Sequence, residues 1–139
     1  MVGALEFKES LPDGCPPEEA VDEALDNVCR FLPYTPPDDE KNYLSHAELD
    51  KPTGNATLCK ARSCSLFYYT SVAQQAAKIG RFKRMKVAVL SFPTGSGMHM
   101  HGRSGHIDFW VAANVDPTDY VKHVCDSVFD VEELVEDAG

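Results

Sequence analysis

The sequence predicts an α+β fold: an antiparallel sheet of about four strands, with a meander in its C-terminal half, packed by N-terminal, middle and C-terminal helices. Three observations predict it. Residues 66–69, 87–90 and 106–113 are short apolar runs rich in β-branched and aromatic side chains. Apolar stripes at helical spacing flank them on both sides. Short Gly- and Pro-rich connections join the later runs and favour neighbouring antiparallel strands. A chain of 139 residues fits one domain, 1–139, with a core of its own.

Taken in order, the first predicted helix begins at Pro16 and Pro17, with Glu18, Glu19 and Asp22 in or near its first turn. Val21, Ala24, Leu25, Val28, Cys29 and Leu32 form its stripe, and Pro33 ends it. Residues 33–44 read as an exposed loop. Ser45 and Glu48 have capping-box spacing and start a short helix in which His46 faces solvent. A strand over 66–69 leads into a helix over 72–79, capped by Thr70 or Ser71 and closed by Gly80. The basic stretch 81–86 precedes a central strand at 87–90. Asp116 and Pro117 then start a last helix whose buried face is Tyr120, Val121, Val124, Cys125 and Val128, and acidic turns over 130–137 end the chain.

The stretch 98–113, MHMHGRSGHIDFWVAA, carries most of the candidate chemistry. Residues 98–101 and 106–113 read as a β-hairpin around Gly102-Arg103-Ser104-Gly105. A turn centred on Arg103-Ser104 puts His101 opposite His106, Met100 opposite Ile107, His99 opposite Asp108 and Met98 opposite Phe109. Period two then sends Met98, Met100, Ile107, Phe109 and Val111 to the core and His99, His101, His106, Asp108 and Trp110 to the other face. A four-residue loop after Phe92 would bring Ala88, Leu90 and Phe92 to that histidine face.

Composition excludes several classes. With 43% hydrophobic and 25% charged residues the chain is ordinary for a globular protein, and no apolar run approaches the roughly 20 residues of a membrane span. The first residues lack a basic and then apolar leader pattern, so a cytoplasmic location and no membrane partner are expected. Five irregularly spaced cysteines predict reduced, mostly buried thiols. The net charge is −9, but residues 51–115 hold 9 bases and 1 acid, Asp108, between acidic flanks. Either the flanks pack against the basic middle or the middle binds an anion; duplex nucleic acid is disfavoured.

Histidines two apart on a strand project together about 7 Å apart, and a paired strand supplies further ligands about 5 Å away. His99, His101, His106 and Asp108 therefore suggest a divalent metal, Zn, Fe or Mn, with an open position for water. Arg103, Arg62 and Lys86 would hold a phosphate or carboxylate, and Trp110 would stack on a ring. Without metal, His106 oriented by Asp108 is a general base. Cross-strand polar contacts on a solvated face account for the same residues without any chemistry. His99-x-His101 after Gly95 and Gly97 resembles the metal motif of the cupins in outline, over this hairpin alone. His106 stands near the position of that family's glutamate, and the chain carries more helix than a cupin barrel. The expected function is a small enzyme or ligand-binding protein using this cluster, in one form by metal-dependent hydrolysis of an anionic, phosphate-containing small molecule. The alternative is a non-catalytic module that binds a protein partner through its basic sheet or acidic helices.

Overall fold

The computed structural model describes residues 6–45, 48–49, 58–102 and 105–138. The class is α+β, and the sheet is larger than expected. Six antiparallel strands, β1 (Leu25–Leu32), β2 (Cys64–Tyr68), β3 (Lys86–Phe92), β4 (Gly97–His101), β5 (His106–Val111) and β6 (Val121–Cys125), lie in the order β4-β5-β2-β1-β3-β6. The described helices are α1 (Leu58–Ala61), α2 (Val72–Lys78) and α3 (Val131–Ala138), with short 3-10 turns between elements. None is long and apolar enough to cross a membrane.

Two predicted helices are strands, for one physical reason. In β1, Leu25, Val28 and Leu32 pack in the same core cluster, although Leu25 and Val28 are three residues apart. A β-bulge between them, with Asn27 at φ 51°, shifts the parity of the strand. A bulged strand buried on both faces thus imitates the i, i+3, i+7 stripe of a helix. At the C-terminus a register shift breaks the period of β6 in the same way, although β6 is an edge strand and Val124, expected on the buried face, is 44% exposed. Asp116 caps as expected, accepting from Thr118 N, but Pro117–Tyr120 makes only one 3-10 turn before β6 pairs with β3 across another register shift. The helix at α2 and the strands β2, β3, β4 and β5 fall where the pattern put them.

The meander is not formed as expected. β3 pairs with β1 and β6, not with β4, its neighbour in sequence. Four strand spacings separate β3 from β4, roughly 19 Å in a flat sheet. The turn joining them is tight, with Ser96 N bonded to Pro93 O at 3.3 Å, and spans less than that, roughly 15 Å from Phe92 to Gly97. The sheet must therefore curl. Val21, just before β1, closes the curl by pairing with His99 on the outer edge of β4, N to O at 2.9 Å in both directions.

Each face of the curled sheet has a core. Val28, Leu66, Leu90, Phe92, Ile107 and Phe109 fill one, with Tyr43 and Tyr120 packed there. Cys29, Phe31, Phe67, Val87 and Val89 face the other, covered by Val72 and Ala76 of α2 and Val131 and Val135 of α3. The acidic flanks do pack against the basic middle, through Arg62 with Glu9 at 3.3 Å and Lys86 with Asp126 at 2.5 Å. Ser45 and Glu48 form the predicted reciprocal cap, Glu48 N to Ser45 Oγ at 3.1 Å and Ser45 N to Glu48 Oε1 at 3.3 Å; His46 lies outside the described residues. The cysteine expectation is corrected in part: Cys29, Cys64 and Cys125 are buried thiols, but Cys15 and Cys59 form a disulfide.

Candidate functional site

The hairpin forms with its register one residue away from the expected one. His101 is opposite Ile107, Met100 opposite Asp108, His99 opposite Phe109 and Met98 opposite Trp110. Gly102 N bonds to His106 O at 2.8 Å, and Gly105, at φ 77°, takes up the additional residue in the connection. A one-residue shift moves a strand's side chains to the opposite face relative to its partner. The expected cluster therefore divides: His99 and His101 lie with Ile107 and Phe109, whereas His106, Asp108 and Trp110 lie with Met98 and Met100 on the reverse. Among the described residues no group of three or more His, Cys, Asp or Glu is placed to share a metal ion. Arg103 and Ser104 lie outside the described residues.

On the first face, His99 is 2% exposed and its Nδ1 has no hydrogen-bond partner among the described residues. Burial, reinforced by the adjacent His101, holds its pKa below the usual imidazole value. The His99 ring stands edge-on to His101 at 5.1 Å, and His101 stacks on Tyr68, whose hydroxyl lies 3.0 Å from Nδ1.

On the reverse face, His106 Nδ1 lies 3.6 Å from Asp108 Oδ1, an ion-pair rather than a hydrogen-bond distance. Asp108 is 3% exposed, and Ser63 Oγ lies 3.4 Å from the same oxygen. Burial lowers the His106 pKa, and the charges of Lys60 and Arg30 lower it further against the pull of Asp108. His106 is thus a neutral imidazole at neutral pH with the Asp108 carboxylate close to its Nδ1.

That imidazole borders a cavity of about 830 Å³, which opens where β1 and β2 separate. The two strands pair only at Val28 with Tyr68 and Cys29 with Phe67; beyond that point β1 follows β3 to Leu32 and β2 follows β5. Arg30 spans the split. Its Nε, Nη1 and Nη2 donate to Asn42 O, Ser65 O and Leu44 O at 2.8, 2.8 and 2.9 Å. Arg30, Lys41, Lys78 and Arg81 all border the cavity, and among the described residues no Asp or Glu lines it. A concave surface whose described lining has cations and no carboxylate carries a positive potential.

The other residues named from the sequence are held elsewhere. Arg62 is paired with Glu9 and Lys86 with Asp126, and neither lines the cavity. Trp110 is 1% exposed and donates from Nε1 to Cys59 O at 2.9 Å, so it packs the interior instead of offering a stacking face. Sequence reasoning missed Arg30, Lys41 and the aromatic wall. One signal was present: Arg30 is one of 3 bases among the first 50 residues and sits amid Val28, Cys29, Phe31 and Leu32, a position that demands polar partners. Comparison with known proteins identifies no relative: no protein-family model matches the chain, nor does any curated protein or any solved structure.

Proposed function

We propose that the chain binds an anionic, phosphate-bearing small molecule in the cavity between β1 and β2 and that His106 transfers a proton in its turnover. One observation carries this reading: the neutral His106, with Asp108 beside it, borders a recess lined among the described residues by four cationic side chains and no carboxylate. His106 takes a proton from an attacking water or from a hydroxyl of the ligand as the new P–O bond forms and the ester P–O bond breaks; Asp108 stabilises the imidazolium, which returns the proton to the leaving alkoxide. The surrounding cations stabilise the negative charge that develops on the phosphate. The metal-dependent form of the reading requires His99 and His101 beside His106 and Asp108. Their division between two faces favours the acid–base form. The Cys15–Cys59 disulfide favours an oxidising compartment over the cytoplasm expected from composition.

The test is turnover of a panel of phosphate monoesters and diesters by the wild type, His106→Gln and Asp108→Asn, with ligand binding measured in parallel. His106→Gln should lower turnover by about 10²- to 10⁴-fold while leaving binding within a few fold. Full activity in His106→Gln, or no turnover of any panel member by the wild type, refutes the assignment.

A further inference from the structure

The walls of the cavity also restrict what it holds. Phe82 stacks on Phe31 with centroids 4.0 Å apart and planes 11° from parallel; Phe31 meets Phe67 edge-on at 5.5 Å, and Phe67 meets the His106 ring edge-on at 5.2 Å. Phe31 and Phe67 are buried in this aromatic run, and half-buried Phe82 is its most accessible ring at the recess. Two cations stand beside aromatic rings, the Arg81 guanidinium 5.5 Å from the Phe82 centroid and Lys41 Nζ 5.9 Å from that of Tyr34. Among the described residues neither Arg81 nor Lys41 forms an ion pair. Arg30 is equally without a carboxylate, but three of its donors are already committed to backbone carbonyls. Arg81 and Lys41 are therefore the cations with donors to spare. At about 830 Å³ the recess is the size that takes a nucleotide-sized organic ligand, far larger than an inorganic anion needs. An alkyl-chain anion fits the charge but not the lining, because its tail would cover the polar side chains of Ser65 and His106 without offering them a hydrogen bond. A heteroaromatic ring offers a flat face to Phe82 and donors and acceptors to those polar groups.

We infer that the cavity is a binding site for a heteroaromatic ring bearing a phosphate, a nucleoside monophosphate being the simplest example. The ring lies against Phe82, and the phosphate meets Arg81 and Lys41. The inference rests on the cavity of the preceding section and names its ligand class.

Calorimetric titration of the full chain tests it, with AMP, GMP, CMP and UMP as probes beside adenosine, inorganic phosphate and decanoate. At least one mononucleotide should bind about tenfold or more tightly than adenosine or phosphate alone. Lys41→Ala/Arg81→Ala should weaken that nucleotide by about tenfold or more and leave adenosine unchanged. Phe82→Leu should weaken both nucleotide and nucleoside by about five- to hundredfold, as loss of a stacking surface does. Thermal unfolding of each variant shows that it is folded. Decanoate binding more tightly than every nucleotide, phosphate binding as tightly as the best nucleotide, or saturable binding of none of the four overturns the inference. Nucleotide binding with an inert His106 would refute the proton-transfer reading and leave this one standing. Turnover of a ligand without a ring, with no nucleotide bound, would do the reverse.

Discussion

Replacing Arg30 with methionine tests the device that holds the cavity open. The guanidinium bridges β1 to β2 through Ser65 O and to the segment after β1 through Asn42 O and Leu44 O. Methionine keeps an unbranched side chain and removes every donor. Three hydrogen bonds from a charged donor, at roughly 1.5 kcal/mol net each, sum to about 4.5 kcal/mol. Water entering the cavity re-satisfies part of the exposed carbonyl surface, so the expected loss is about 2–4 kcal/mol. For a chain of 139 residues that corresponds to a fall of roughly 6–14 °C in Tm. Urea and thermal unfolding followed by circular dichroism measure it. Arg30→Lys should recover less than half of the loss, since one ammonium cannot reproduce the fork that reaches three carbonyls. A loss below about 1 kcal/mol in Arg30→Met would show that the bridge does not hold the split and would refute the reasoning.

Three further perturbations follow from particular contacts. Gly97→Ala places a Cβ against Trp110 O and 2.8 Å from Phe109 Cε1 at φ 156°, so the β4–β5 pairing must shift; a loss of at least about 2 kcal/mol in urea unfolding is expected, and an unchanged midpoint would count against the observed register. The Cys15–Cys59 disulfide closes a loop with a sequence separation of 44. Cys15→Ser/Cys59→Ser should therefore lower stability by about 2–4 kcal/mol, and unfolding that is the same with and without reductant in the wild type would contradict the pairing. His99 and His106 both have pKa values below the usual 6.5, so the unfolded chain takes up protons before the native one does. Their contribution is complete above about pH 6.5 and is lost as pH falls through the lowered native values. Urea midpoints at pH 7.5 and 5.5 should fall for the wild type more than for His99→Asn/His106→Gln. Glu9, raised by burial, acts with the opposite sign but is common to both proteins. Equal falls would exclude the histidines as the cause.

Local chemistry in the sequence carried the α+β class, the α2 helix, the β2, β3, β4 and β5 strands and the caps at Ser45 and Asp116, because each depends on residues within one or two turns. It also singled out His106 beside Asp108 and a basic middle segment. What the tertiary structure decided is of another kind. The strands β1 and β6 took their conformation from long-range pairing, and their bulges disguised that pairing as helical periodicity. The hairpin register turned on one residue in the connection through Gly105, enough to send His99 and His101 to one face and His106 and Asp108 to the other. The cavity depends on where β1 and β2 stop pairing, and its lining comes from residues as far apart as Arg30 and His106. A pattern along the chain records which face each residue prefers, but the partner across the sheet is chosen by contacts that sequence separation hides.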